Sequence, residues 1–238
     1  MSNKVGRFYG LGVGPGDPEL MTLKASRVLL KVPFIFLVPD RVAEGPSYLH
    51  AIIANLTGSE QNVVELAPPL AMEPQELTQH WKEATDSIWG HLEGGEDCAL
   101  VSLGDPLLHS PGFSIMESLR REHPELVIEI IPGISSISAA TARAFIPLGT
   151  RDERIAILTG RCDDEFMKET LLGFESVIFM KITTDFHRIL SILEELNLVG
   201  KSVFIRKCSS QDEEIITDVG KLKGQELDFS FSLLIVRR

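Results

Sequence analysis

Cysteine is scarce and poorly spaced for either of its common uses. Cys98, Cys162 and Cys208 are odd in number and far apart, which fits neither a disulfide framework nor a paired-cysteine metal site. Basic clusters are missing too. With 23 Lys and Arg against 34 Asp and Glu the net charge is −11, and two Trp and two Tyr offer little stacking surface, so nucleic acid is excluded as a partner. No apolar run nears the ~20 residues of a membrane span, and the opening Met1-Ser2-Asn3-Lys4 lacks the apolar stretch of a signal peptide. A cytoplasmic chain with no membrane contact is expected. The histidines at 50, 80, 91, 109, 123 and 187 show no ligand spacing, so no metal is expected, and no segment is of low complexity.

What is present is an alternation of short apolar runs and helical stripes over roughly the first 145 residues, with Gly, Pro or Asp at each junction. Strands are expected at Phe8 to Val13, Phe34 to Val38, Asn62 to Leu66, Cys98 to Leu103 and Val127 to Ile131. One helical stripe reads Leu20, Leu23, Arg27 and Leu30; another reads Leu77, Trp81, Ala84, Ile88 and Leu92, stopping at Gly94-Gly95. After Pro147 and Gly149 the texture changes: strand candidates at Ile155 to Leu158, Val177 to Met180, Val203 to Arg206, Ile215 to Val219 and Phe229 to Val236 hold only two helices among them. One of those helices is expected to start at Asp185 and stop at Gly200. The expectation is an α/β protein of two α/β domains, 1–147 and 148–238, the second with a mixed sheet.

The glycine turn Gly12-Val13-Gly14-Pro15-Gly16 ends the first strand. A dinucleotide site needs GxGxxG, with the pyrophosphate on the amides that open the following helix. Here Pro15 removes one amide, Asp17 suits a helix cap and Pro18 the first helical position, so a phosphate would meet the chain's own carboxylates. This weighs against a nicotinamide oxidoreductase. The turn has an echo in Ser102-Leu103-Gly104-Asp105-Pro106, and a third run ends in Pro132-Gly133 before Ser135 and Ser136. Three such loops at parallel strand ends share one rim, where open α/β sheets bind ligands. Small residues, hydroxyls and a carboxylate there suit a cationic ligand with ribose and adenine but no phosphate, and S-adenosylmethionine is such a ligand.

Taken in order, "GLGVGPGDPELMTLKA", "SLGDPLLHS", "IIPGISSISAA", "IAILTG", "VIFMK" and "FSFSLLIV" resemble the tetrapyrrole methylase family. Within it, "GPGDPELMTLKA", "LAPPLAMEP" and "VIFMKITTDFHRILSILEELNL" most resemble the branch that methylates precorrin-2 or its cobalt form at C20, in cobalamin biosynthesis. The C11 and C17 precorrin methylases, the uroporphyrinogen-III enzyme and, outside the family, a non-catalytic tetrapyrrole carrier are the alternatives. The resemblance implies a homodimer whose cofactor, S-adenosylmethionine, lies in a cleft between the two domains. Carried onto matching positions, it implies cofactor contacts at Pro15, Leu103, Gly104, Asp105, Leu108, Ser135, Ser136, Met180 and Cys208. Asp105 and Asp40 are the candidate proton acceptors. His109 stands where this branch often has tyrosine, and Asp40, in "VPDR", where the uroporphyrinogen-III enzymes have Tyr-Asp-Arg. The carboxylates of the substrate call for cations, with Arg41, Arg154 and the rim residue His109 as candidates for substrate binding and Arg143, Arg151, Arg161 and Lys181 in reserve.

Overall fold

The computed structural model describes residues 4–38, 47–54, 56, 61–66, 73–226 and 229–238, in two compact units, Met1–Ser135 and Ser136–Arg238. The division by contacts falls one helix before the change of sequence texture near residue 148.

In the first unit five strands, β1 (Phe8–Gly12), β2 (Phe34–Leu37), β3 (Asn62–Glu65), β4 (Cys98–Ser102) and β5 (Ile128–Ile131), form a parallel sheet in the order β3-β2-β4-β1-β5. The helices are α1 (Leu23–Leu29), α2 (Tyr48–Ala54), α3 (Pro74–Glu93) and α4 (Phe113–Glu122). Both faces of the sheet are covered, which explains why its central strands read as unbroken apolar runs. From β4, Cys98 and Leu100 join Ile88 and Leu92 of α3 and Ile115 and Leu119 of α4 in one core, while Ala99 and Val101 join Ala25 and Leu29 of α1 and Leu49 and Ile53 of α2 in the other. From β1 the chain crosses β4 to reach β2; from β4 it crosses β1 to reach β5. The connections therefore leave the β1–β4 pair in opposite directions, and the carboxyl ends of those two strands mark the switch point where this kind of sheet receives ligands.

The expected stripe of α1 is corrected. Leu23 is 82% exposed and Leu30 57%, and the helix buries Ala25 and Leu29 instead. The cause is a later start: Asp17 caps only a short 3-10 turn, Pro18–Leu20, and Thr22 Oγ1, accepting from the Ala25 amide, caps α1 itself. Helix α3 buries Ala84, Ile88 and Leu92 as expected and ends at Gly94.

The second unit comprises α5 (Ser136–Ala144), β6 (Ile155–Thr159), α6 (Asp164–Gly173), β7 (Ser176–Met180), α7 (Phe186–Glu195), β8 (Ser202–Arg206), β9 (Glu214–Ile216) and β10 (Ser232–Arg237). Its sheet runs β6-β7-β10-β8-β9; β6 and β7 are parallel and the remaining neighbours antiparallel, a mixed sheet. Met167 and Leu171 of α6 and Phe186, Ile189, Leu190 and Leu193 of α7 pack on Val177, Phe179, Phe204 and Leu234 of the sheet. Phe186 stacks on Phe229 with ring centroids 4.5 Å apart. Helix α7 begins after Asp185 but stops well before Gly200: Asn197, left-handed at φ 58°, turns the chain out of it. Strand β9 likewise ends at Ile216, and Val219 opens a 3-10 turn. Among the described residues no helix is long and apolar enough to cross a membrane.

Candidate functional site

The glycine turn holds the chain's own backbone. The Val13 amide donates to the Ser102 carbonyl at 3.1 Å, the Gly14 amide to the Gly104 carbonyl at 3.4 Å, and the Gly104 amide returns to the Gly14 carbonyl at 2.7 Å. Gly14 (φ 84°) and Gly104 (φ 70°) thus form an antiparallel bridge across the switch point, in backbone conformations that glycine adopts freely. A Cβ on Gly12 would stand 2.5 Å from both the Gly104 oxygen and the Gly133 nitrogen. These glycines let three loops touch. With two turn amides committed and none on Pro15, no phosphate cradle is formed.

Both Gly-Asp-Pro segments repeat one local device. Asp17 Oδ1 accepts from the Glu19 amide and Asp105 Oδ1 from the Leu107 amide, each at 2.9 Å, the Asx turn that aspartate favours. Only Asp105 does more: its Oδ2 accepts from the Gly133 amide at 3.1 Å and latches the β4 loop to the β5 loop. Ser110 Oγ, 2.8 Å from Ser102 Oγ and accepting from the Gly112 amide at 3.2 Å, fixes the return of the β4 loop to α4.

Of the residues singled out from the sequence, Pro15, Leu103, Gly104, Asp105, Leu108 and Ser135 all lie in these loops. Pro15 and Gly104 are buried; Leu103, Asp105, Leu108 and Ser135 are half-buried. His109 projects from the β4 loop, exposed and left-handed at φ 54°. Leu107 at 57% and Ile134 at 36% exposure add apolar surface to the rim. Asp40 and Arg41 lie outside the described residues. Ser136 opens α5.

Met180 and Cys208 share one edge of the second sheet. Register places Met180 opposite Leu233 and Arg206 opposite Ser232, so the ends of β7 and β8 and the start of β10 lie together. The edge is strained: of eight non-glycine residues with positive φ among those described, Lys181, Lys207, Ser209 and Phe231 are here. Each such residue costs roughly 1–2 kcal/mol, and strain of this kind gathers at binding and catalytic sites. It is held by hydrogen bonds, Lys207 amide to Phe231 carbonyl at 2.9 Å and Gly160 amide to Met180 carbonyl at 3.2 Å. Arg188 of α7, absent from the sequence reading, braces the loop after β6 through the carbonyls of Gly160 and Cys162 and the carboxylates of Asp164 and Asp185.

The cations separate by place. Arg154 precedes β6, at the edge away from Met180, and is committed to Glu175: Nη2 to Oε1 at 3.0 Å, Nε to Oε2 at 3.3 Å and its amide to Oε2 at 2.8 Å. The Arg154 guanidinium, followed by its amide, holds the Glu175 carboxyl down at about 2. Arg143 is paired with Glu213. Arg161 and Lys181 are exposed at the Met180 edge and make no ion pair among the described residues, where no group of three or more His, Cys, Asp or Glu could hold a metal either. The sequence reading missed Glu213 and Arg188 because both look like ordinary surface charges; only the fold shows what they meet.

The sequence pattern of the tetrapyrrole (corrin/porphyrin) methylases matches residues 7–223. A probable cobalt-precorrin-2 C(20)-methyltransferase of Methanocaldococcus jannaschii is 32% identical, covering 100% of this chain and 99% of its own. A cobalt-precorrin-2 C(20)-methyltransferase of Salmonella typhimurium is 26% identical, covering 98% of this chain and 97% of its own. Among solved structures, the uroporphyrin-III C-methyl transferase of Thermus thermophilus in complex with S-adenosylhomocysteine superposes with a TM-score of 0.70 at 21% identity, over 98% of each chain.

Proposed function

The chain belongs to the tetrapyrrole methylase family, and from that premise we propose that it transfers the methyl group of S-adenosylmethionine to C20 of precorrin-2, or of its cobalt form, in corrin-ring biosynthesis. The observation that carries the reading is the end-to-end similarity to C20-methyltransferases, 32% over the whole chain for one of them. The welded rim supports it from the side of geometry: small residues, one carboxylate and apolar side chains, with the turn's amides used internally, suit a phosphate-free cation.

When bound, S-adenosylmethionine supplies an electrophilic methyl group on a positively charged sulfur. We propose that Pro15, Leu103, Gly104, Asp105 and Leu108 hold its methionine part, Ser135 and Ser136 its ribose, and the backbone beside Met180 and Cys208 its adenine. Asp105 places negative charge at the rim, and each of its oxygens keeps a lone pair beyond its amide bond for an ammonium group or a proton. Leu107, Leu108 and Ile134 keep water from the reacting atoms and favour a step in which charge at sulfur is neutralised. The electron-rich C20 then loses its hydrogen as a proton, for which Asp105 and Asp40 are the proposed acceptors. Arg41 and the rim residue His109 stay in the proposed substrate-binding set. Arg161 and Lys181 take the place of Arg154, whose guanidinium is already occupied. We infer a homodimer in the cytoplasm, as the family resemblance implies.

Incubating the purified chain with precorrin-2 and methyl-labelled S-adenosylmethionine tests the function. The expected product is one methyl heavier, with the label at C20 by NMR. Label at C11 or C17 would move the protein to a neighbouring step, and an unlabelled macrocycle would make it a carrier.

Arg154→Ala is expected to leave the Michaelis constant for the tetrapyrrole within about twofold, since an exposed, internally paired arginine has little to offer a ligand. Its effect is on acid stability. Folded Glu175 titrates near 2 against an ordinary 4.5, so the pair acts fully above pH 4.5 and fades as the pH falls towards 2. Acid unfolding followed by circular dichroism should lose that component in the variant; an unchanged acid profile would remove the pair from the account.

A further inference from the structure

Glu213 precedes β9, and its side chain is only 9% exposed. A carboxylate so placed must be paired and hydrogen-bonded to remain charged. Its Oε1 accepts from Arg143 Nε at 2.8 Å and lies 2.7 Å from Arg143 Nη2; its Oε2 accepts from the Ser209 amide at 2.7 Å. One carboxylate thus joins two things: the last turn of α5, whose first turn carries Ser136, and the left-handed residue Ser209 next to Cys208 in the loop before β9. Burial pushes the Glu213 carboxyl up, but Arg143 and the Ser209 amide pull it down by more, so it stays ionised. The Cys208 thiol is 5% exposed and burial raises its titration, which suits a packing group better than a nucleophile.

We propose that Arg143 and Glu213 are positioning residues for the methyl donor. Their ion pair locks the loop from Ser209 to Glu213, with Ser209 in its strained conformation, so that the backbone beside Cys208 is preformed to receive the adenosyl part. This rests on the function proposed above. Lys207 is held by the Phe231 carbonyl, whereas left-handed Ser209 has its amide tied to α5 through the carboxylate of Glu213. A preformed loop spares the ligand the cost of ordering it. The tetrapyrrole, which needs no adenine pocket, is expected to be indifferent to the lock.

The test uses the full chain with Arg143→Gln, Glu213→Gln and the double substitution. Binding of S-adenosylhomocysteine is measured by calorimetry, binding of precorrin-2 by absorbance, and reaction of Cys208 with iodoacetamide by peptide mapping. Each single variant is expected to bind S-adenosylhomocysteine about tenfold more weakly or worse, as loss of one charge-assisted hydrogen bond implies. The double variant should be no worse than the weaker single, because the pair acts as a unit. Tetrapyrrole binding should stay within about twofold, and Cys208 should be alkylated about tenfold faster as its loop opens. Unchanged affinity for S-adenosylhomocysteine, equal loss for both ligands, or unchanged alkylation would each overturn the proposal. Should the glutamine variants not fold, Glu213→Asp keeps the charge but shortens its reach, and the same split between the ligands is expected at smaller size. A wild-type chain that bound no S-adenosylhomocysteine would defeat the proposed function instead, and alkylation, which needs no ligand, would still report on the lock.

Discussion

Gly133→Ala should abolish binding of S-adenosylhomocysteine and lower the unfolding temperature sharply. A Cβ on Gly133 would be driven into the carbonyl oxygen of Gly104, with the backbone of Gly12 also only 2.8 Å away. Both neighbours are main chain, Gly12 as the last residue of β1 and Gly104 in the loop after β4, so neither can yield without disturbing the β1–β4–β5 arrangement. Overpacking of this kind costs about 1–3 kcal/mol, and more where the surroundings are rigid. Gly90→Ala is the control: it lies in α3, a Cβ there meets nothing within 4 Å, and the change is expected to stabilise by roughly 0.5–1 kcal/mol. Thermal unfolding and calorimetry on the two variants check the pair. A soluble Gly133→Ala protein that binds the ligand normally would show that the close approach of the three loops is unimportant.

Asp105→Ala should lower kcat/KM for methyl transfer by about a hundredfold or more, the scale expected when reacting groups shift by about an ångström. Removing the carboxylate frees the Leu107 amide and cuts the bond from the Gly133 amide, so the β4 loop loses both its local turn and its tie to the β5 loop. Bonds to a charged acceptor are worth about 1.5–3 kcal/mol each. Asp105→Asn can still accept from one amide but must turn its NH2 group towards the other, so an intermediate loss is expected. Asp17→Ala, which removes only the local turn, should be much milder. Steady-state kinetics on the three variants give the ranking; if alanine at 17 and at 105 proved equally harmful, the tie to Gly133 would not be the source of the effect.

The two sheets were legible in the sequence because both rest on local signals. Apolar runs located the ten strands found among the described residues to within a few positions, and the repeated Gly-Asp-Pro segments marked two loops on one rim, since strand, turn and cap preferences act over a handful of neighbours. The first turn of α1 was misread for the same reason: Asp17-Pro18 and Thr22 are both good starts, and packing of Ala25 and Leu29 rather than propensity chose the second. Family membership, too, was legible, because ordered motifs along a chain survive where their three-dimensional meaning is hidden.

What only the tertiary structure decided is which partner each polar group meets. Whether Asp105 latches a loop 28 residues away, whether Arg154 and Arg143 are spent on Glu175 and Glu213 or offered to a ligand, and why the turn glycines are glycines all depend on contacts between segments remote in sequence. Local preference cannot encode such choices. A charged side chain can pair with any of many opposite charges at small differences in free energy, and the fold selects among them by bringing one within reach and burying it there.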